Sequence, residues 1–391
     1  MKILHFMANM RVEKGGVVKA ATDLCAMASG EHEVELITLD PSGVPEHWCN
    51  DDPSTPRVTK IHDELGFGGS LNKEQKNQIR ECVQEADVVH LHAMWDPANA
   101  QVARICRSLN KPYVLTAHGM LDDWAMAIKR PKKLIYLKTW GRNLLRDASL
   151  VHCTAESELE QSTPWFDAQK GRAIPLPCDF GAYQDLPDKQ LAYEAFDKLE
   201  HDLPKVLFLS RIHHGKGVEK LIQASSLLVK KGIQHQLLIA GTGGESYVQE
   251  MKTQAENSGA NDCIHFLGFA SGEEKIALLS ACDVFTLPTD HENFGIVLFE
   301  AMASGTFVVT TNGAATWPEI EESGGGMIIK NTTESFAKTI EKVLADSSAY
   351  QEKASAGRAW VLDRMAMDKV REKYNAVYKE ACDSNPGAGP K

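Results

Sequence analysis

Residues 205–224 read "KVLFLSRIHHGKGVEKLIQA". A short apolar run, a glycine-flanked basic loop and a helix start follow one another, which predicts strand, turn and helix. The same order has already been used several times upstream, so Lys205 is where a pattern begins again. Upstream, "KILHFM" (2–7), "EVELITL" (33–39), "ADVVHLHA" (86–93), "PYVLTAH" (112–118) and "ASLVHCTA" (148–155) read as strands. Between the first two, Val17, Ala20, Ala21, Leu24, Met27 and Ala28 recur at helical spacing and stop at Gly30. Downstream, "HQLLIAG" (235–241), "CIHFLGF" (263–269), "DVFTLPT" (283–289), "TFVVTTN" (306–312) and "GGMIIK" (325–330) continue the alternation. Most of these strands are continuous apolar runs, as expected of a parallel sheet covered on both faces.

Residues 171–204 are rich in proline, glycine and charge, end in a short helical patch, and read as a linker. Two βα-alternating halves joined there imply two doubly wound α/β domains facing each other across a cleft. Residues 334–382 are helical in character, and the tail "SNPGAGPK" (384–391) reads as disordered. A length of 391 residues suits two domains. The net charge of −11 argues against a nucleic-acid binder. Nine cysteines without a C-x-x-C pair suit reduced thiols in a cytoplasmic protein better than a disulfide framework or a zinc site. The N-terminal apolar run is too short for a signal peptide, and no stretch approaches the ~18 apolar residues that span a bilayer.

The chemistry gathers where strands end. "HENFGIVLFEA" (291–301) sets Glu292 at the mouth of an apolar run and Glu300 inside it. The helix is expected to begin near Asn293–Gly295 and to end at Ser304–Gly305. Its free N–H groups and partial positive charge face the edge where open α/β sheets bind ligands. A buried carboxylate needs donors; a sugar diol supplies two, and an internal ion pair is the equally weighted alternative. In the opening stretch, Arg211 and Lys216 flank glycines at a helix start, which suits a pyrophosphate, although a solvated basic loop fits the same residues. The spacing is not that of a Walker loop. "AGTGGE" (240–245) puts Gly241 in a further turn after a strand, and Ser246 stands where a G-x-G-x-x-G pattern needs its third glycine. In the first half, Gly15 and Gly16 offer backbone amides before a helix, while His92 and His118 sit at neighbouring strand ends.

Together, the Glu292–Glu300 element with "ENFG", the "SRIHHGKG" loop, the amino-terminal "GG" and "TAHG" resemble the retaining glycosyltransferases of family 4, with the GT-B fold. The resemblance spans nearly the whole chain. It implies an acceptor-binding domain over residues 1–178, with a C-terminal helix at about 364–383 packing back on it, and a nucleotide-sugar-binding domain over 179–363. By that resemblance Glu300 would hold the ribose hydroxyls, and Arg211 and Lys216 the diphosphate. Glu292 and the amides of Asn293, Phe294 and Gly295 would grip the donor sugar. His118 would contact the sugar near the reaction centre, His92 would lie on the acceptor side, and Gly15, Gly16 and Gly241 would line the donor. It also implies a hexose moved with retention from a UDP- or GDP-linked donor, front-face chemistry, and a glycan or polyprenyl-diphosphate acceptor in bacterial cell-surface polysaccharide synthesis. No cofactor and no metal are expected, because no Asp-x-Asp signature is present. The "AGTGGE" turn and the His213–His214 pair depart from the family's usual pattern and blur the donor. A nucleotide-sugar epimerase or hydrolase on the same scaffold, or a non-catalytic scaffold subunit, are the rival readings.

One further segment stands out. Residues 124–146 carry Lys129, Arg130, Lys132, Lys133, Lys138, Arg142 and Arg146 with no acidic residue. Trp124, Leu134, Ile135, Leu137, Trp140, Leu144 and Leu145 interleave with them. Such a segment can lie on an anionic membrane, placing the protein at the inner face, or it can pack its apolar groups into the core.

Overall fold

Every strand pair is parallel, as continuous apolar runs require. The computed structural model describes residues 1–11, 16–50, 52, 54–61, 66 and 69–384. Gly15 and residues 385–391 of the tail therefore lie outside the described residues. The chain divides into two units: Met1–Cys178 together with the segment beginning at Met367, and Asp179–Ala366.

The first unit holds β1 (Lys2–Phe6), β2 (Glu33–Thr38), β3 (Arg57–Lys60), β4 (Val88–His92), β5 (Tyr113–Thr116), β6 (Leu150–Cys153) and β7 (Gly171–Ala173). Their order across the sheet is β3-β2-β1-β4-β5-β6-β7. The second holds β8 (Lys205–Leu209), β9 (Gln236–Ala240), β10 (Ile264–Gly268), β11 (Val284–Leu287), β12 (Phe307–Thr311) and β13 (Gly326–Ile329), in the order β10-β9-β8-β11-β12-β13. Two strands were not expected. β3 is the edge sequence "RVTK", with no apolar run to betray it. β7 pairs with β6 inside the stretch read as linker, so that stretch begins as sheet; it also contains the Gln190–Ala195 helix.

In the first unit the strands alternate which face each side chain meets. Leu4, Phe6, Val89, Leu91, Leu115 and Val151 form one core with the Lys73–Glu85 and Pro97–Ser108 helices. Ile3, Leu36, Val88, Val114 and Leu150 form the other, beneath the Gly16–Ser29 helix and the last helix, Met367–Asp383. That second face carries an unusual polar layer, because His5, His90, His92, Thr116 and His152 occupy inward positions on four adjacent strands and are all buried.

One carbonyl dictates the protons of half this layer. His152 Nε2 lies 2.8 Å from the Ile174 carbonyl oxygen, so it must donate. A neutral ring then accepts at Nδ1, where the Thr116 hydroxyl donates at 2.8 Å. Thr116 Oγ1 accepts from His90 Nε2 at 2.6 Å, and His90 Nδ1 accepts from the Tyr378 hydroxyl at 2.8 Å. Tyr374 places its hydroxyl 3.1 Å from His152 Nε2. The last helix is therefore held by hydrogen bonds in a fixed direction as well as by apolar contact. Tyr378→Phe removes the donor and leaves His90 Nδ1 buried and unpaired. A loss of about 1–3 kcal/mol is expected, read as a lower urea midpoint with the slope unchanged.

Candidate active site

In the second sheet the strand order reverses between β8 and β11, and a doubly wound sheet opens a ligand crevice at the carboxyl ends of such a pair. The loop after β8 carries Arg211 and Lys216, and the loop after β11 carries Glu292. The two loops are tied together. The Asp290 amide donates to the Gly215 carbonyl at 2.8 Å, and Lys220 pairs with Asp290 at 3.0 Å. The loop after β9 is strapped to the first as well, since the Ile212 amide donates to the Thr242 carbonyl at 2.8 Å. Gly241 has a φ of 135°, and a Cβ there would lie 1.8 Å from the Ser210 carbonyl oxygen, so the turn admits only glycine. It borders a hollow of about 730 Å³ lined also by Thr242, Glu245, Lys252 and Gly268, a size that accommodates a small ligand.

Lys216 Nζ sits 2.6 Å from Glu292 Oε2. The structure thus joins the cation expected to hold a diphosphate and the carboxylate expected to grip a sugar. Both side chains are mostly withdrawn from water, and unpaired charges there would be costly. Arg211 differs: it is exposed and makes no hydrogen bond or ion pair among the described residues. The Glu292 backbone is fixed by bonds to Gly313 and from Ala315, each 2.8 Å. The amides of Asn293, Phe294 and Gly295, which follow it, donate to no group among the described residues, and Asn293 Oδ1 is buried without a partner. Gly295 caps the Ile296–Ala303 helix in the left-handed region, with φ 65°. The Phe294 ring packs on Phe299 in the core, so only its backbone faces a ligand.

Glu300 has the internal ion pair that the sequence left open beside a sugar diol: Lys275 of the Gly272–Ala281 helix places Nζ 2.8 Å from its Oε1. The Glu300 side chain is only 14 % exposed, and a carboxylate held there without a ligand takes a cation from the protein. Oε2 has no protein partner among the described residues and remains able to accept. Lys275 escaped the sequence reading because nothing in "GEEKIALLSA" distinguishes one helical lysine from a solvated one; the lone carboxylate was the only sign that a cation must face it.

In the first unit His118 follows β5 in the left-handed region, with φ 52°, a conformation uncommon for a residue other than glycine. This turn and the neighbouring one after β4 are each clamped by a buried side chain. Buried Glu158 accepts from the Gly119 amide at 2.6 Å and from the Thr154 amide and hydroxyl at 2.7 Å each. Burial raises its carboxyl pKa against those hydrogen bonds. Asn99 Nδ2 donates to the carbonyls of His92 and Ala93 at 2.6 Å. His118 is 8 % exposed. His92 does not face an acceptor: it is buried, and both its ring nitrogens are taken, by His5 at 3.0 Å and by His118 at 3.1 Å. Burial holds His5 and His118 down at about 3 and His92 well below its ordinary value, so all three rings are neutral at pH 7. His5, His90 and His92 lie close enough to suggest a metal, but both ring nitrogens of His90 are engaged by Tyr378 and Thr116 and both of His92 by His5 and His118, which leaves no converging set of free lone pairs for an ion. Gly16 opens the Gly16–Ser29 helix and is exposed, with nothing within 4 Å of where a Cβ would stand.

The basic segment divides in the structure. Leu144 and Leu145 are core, and Leu134 and Leu137 pack against it. Lys133, counted among the surface cations, lies over the Trp95 ring at 5.0 Å and donates to the Ala125 carbonyl at 2.5 Å. Trp124, Ile128, Ile135 and Trp140 remain exposed, Ile135 to 65 %, beside exposed Lys129, Arg130, Lys132, Lys138 and Arg142. No helix of the described residues is long and apolar enough to cross a membrane. Cys25, Cys82, Cys106, Cys153, Cys178, Cys263, Cys282 and Cys382 are unpaired thiols.

Comparison with known proteins gives these arrangements a context. Residues 14–180 match the family described as Glycosyltransferase Family 4, and residues 192–360 match Glycosyl transferases group 1. An uncharacterized glycosyltransferase of Methanocaldococcus jannaschii is 25 % identical over 90 % of both chains. A GDP-mannose:cellobiosyl-diphosphopolyprenol alpha-mannosyltransferase of Xanthomonas campestris is 22 % identical over 96 % of this chain and 97 % of its own. Among solved structures, Anabaena HepE in complex with UDP superposes with a TM-score of 0.79 at 18 % identity, covering 97 % of this chain and all of HepE. The two-domain Rossmann-like architecture is that of GT-B glycosyltransferases.

The Lys275–Glu300 pair yields a measurable coupling. Lys275→Met strands a half-buried carboxylate and is expected to cost about 1–3 kcal/mol, between exposed and fully buried pairs. Adding Glu300→Gln should recover most of that loss. A double-mutant cycle by urea unfolding with no coupling between the two positions would mean the pair is incidental.

Proposed function

The chain is a member of the group 1, family 4 glycosyltransferases, and on that premise we propose that it is a retaining hexosyltransferase using a UDP- or GDP-linked sugar. The observation that carries this reading is the carboxyl edge of the second sheet. There an unpaired Arg211, the Lys216–Glu292 pair and three undonated amides at 293–295 converge on loops that are bonded to one another. Such a set suits a ligand with a diphosphate and a hydroxyl-rich ring. Arg211 and Lys216 take the diphosphate, Glu292 exchanges Lys216 for sugar hydroxyls, and the free Oε2 of Glu300 accepts from the ribose. Gly16 and the neighbouring helix N-terminus of the first unit add amides for phosphate oxygens.

As the glycosidic bond lengthens, negative charge collects on the departing diphosphate. The guanidinium and the ammonium stabilise it more than they stabilise the ground state, and this electrostatic term drives the step. The acceptor hydroxyl attacks the same face: the bond from the anomeric carbon to the diphosphate oxygen breaks, the new carbon–oxygen bond forms, and the hydroxyl proton passes to an oxygen of the departing diphosphate, so configuration is retained. His118 touches the sugar near this centre. The Arg211 and Lys216 cations take the place that a metal would fill, and transfer is metal-independent. The acceptor is a glycan or a polyprenyl-diphosphate-linked chain, and the product belongs to cell-surface polysaccharide synthesis on the cytoplasmic side. A relative that mannosylates a diphosphopolyprenol, and one named as a lipopolysaccharide core glycosyltransferase in Rhizobium meliloti, support that acceptor class. The exposed Trp124, Ile128, Ile135 and Trp140 among cations support contact with an anionic bilayer.

Transfer from UDP-glucose and GDP-mannose to glycan and polyprenyl-diphosphate acceptors tests the reading, with and without EDTA. Arg211→Ala should lower transfer about 100-fold, the usual effect of losing one donor to the transition-state charge, with the unfolding midpoint unchanged because Arg211 bonds to no protein group among the described residues. Loss of activity in EDTA restored by magnesium would refute metal independence, and donor turnover without acceptor would favour the hydrolase or epimerase reading. Membrane contact has its own test. The Lys132→Glu, Lys138→Glu, Arg142→Glu triple variant should lose salt-sensitive co-sedimentation with anionic vesicles that the wild type shows, each charge being worth about 1 kcal/mol near the surface. Equal sedimentation of both proteins would leave the segment an ordinary basic surface.

A further inference from the structure

His5, His92 and His118 form a single file of imidazoles, linked from Nδ1 of His5 to Nε2 of His92 and from Nδ1 of His92 to Nε2 of His118. We propose that His5 and His92 are positioning residues that lock His118 in its Nδ1–H tautomer, so that the ring meets substrate as a hydrogen-bond donor. This rests on the reading of His118 as a group that touches the sugar.

The argument is one of proton counting. Each nitrogen-to-nitrogen bond needs one donor and one acceptor, and a neutral imidazole carries one N–H. The three protons must then all point the same way along the file. If every Nδ1 is protonated, His5 donates to His92, His92 donates to His118, and His118 turns an N–H outward. His5 Nε2 is then a bare lone pair. If every Nε2 is protonated, the direction reverses, and His5 buries an N–H. His5 Nε2 is buried and has no hydrogen-bond partner. Among main-chain groups an orphaned buried N–H is rarer than an under-satisfied acceptor, and the same preference applied to the His5 ring selects the first arrangement.

Three features of the site agree. Among the described residues His118 uses only Nε2, and it is the most exposed ring of the file, so Nδ1 is the nitrogen left for a ligand. The backbone is strained at both ends of the second bond, with φ of 71° at Ala93 beside His92 and 52° at His118. Glu158 and Asn99 clamp those two turns in place, as expected where geometry matters more than comfort. The neighbouring file through His90 and His152 is directed by the Ile174 carbonyl, whereas this one has no carbonyl at either end. Its direction is set by the vacancy at His5 alone, which makes His5, remote from any substrate, the residue that decides what His118 offers.

Long-range ¹H–¹⁵N correlation spectra of ¹⁵N-histidine-labelled protein separate Nδ1–H from Nε2–H rings. The expected pattern is Nδ1–H for His5, His92 and His118 in the wild type. His5→Asn keeps a side-chain N–H donor in reach of His92 and should keep both the pattern and the activity. His5→Leu removes it; His118 should lose its Nδ1–H signature. Its kcat should then fall about 10- to 100-fold, the range for partners that orient an imidazole, with KM for the donor within about twofold. An Nε2–H signature for His118 in the wild type overturns the proposal, as does a folded His5→Leu protein with wild-type kcat. If His5→Leu does not fold, the wild-type spectrum decides alone. Wild-type transfer by His118→Ala would instead sink the reading of His118 as a substrate contact and leave the tautomer result standing.

Discussion

The ion pair between Lys216 and Glu292 joins the loop after β8 to the loop after β11, and most of the candidate site follows from it. Both strands are buried on both faces, so their carboxyl ends are where a charge can stand with neither bulk water nor hydrocarbon around it. Two opposite charges in that place neutralise each other until something better arrives. The pairing fixes the width of the gap between the loops, leaves Arg211 as the unsatisfied cation beside it, and keeps the amides at 293–295 aimed at the same space. The Lys275–Glu300 pair repeats the logic one helical turn deeper. The ligand-free protein therefore holds both carboxylates in internal salt bridges: a ligand that claims Glu292 has to be worth more to it than Lys216, whereas Glu300 keeps Oε2 open beside Lys275.

Much of the fold was legible because a fully covered parallel strand leaves a continuous apolar run that no other element imitates well. Eleven of the strands were written in that way, from "KILHFM" to "GGMIIK". The two that were missed, β3 and β7, are edge strands whose exposed sides tolerate Arg57, Lys60 and Arg172. The loops after β8 and β11 were legible for a different reason: glycine beside cation, and carboxylate before an apolar helix, are combinations that packing alone does not call for.

What the sequence concealed was partnership. Glu300 announced a buried charge but not Lys275, because pairing is a property of two helices brought together by the sheet. The histidines were hidden more thoroughly. Within "KILHF", "VVHLH" and "LVHC" each histidine breaks an apolar run once, which reads as tolerance of a polar residue at a strand position. Only the register, with His5 opposite His90 and Thr116 opposite both His92 and His152, turns isolated breaks into a connected layer. His92 was misread for that reason: at a strand end it suggested a ligand, but its two nitrogens belong to its neighbours.

The last helix bears on how the molecule is made. Met367–Asp383 closes the face that carries the histidine layer, with Tyr378 donating to His90 and Tyr374 beside His152. Yet 188 residues, 179–366, separate it from the rest of its unit. At ribosomal speeds of 5–20 residues per second that is a wait of about 10–40 s. During that interval the first unit leaves the exit tunnel with its polar layer uncapped, while the second, contiguous in sequence, can finish folding. Synthesis from one end to the other thus inverts the order of completion: the half translated first is the half sealed last.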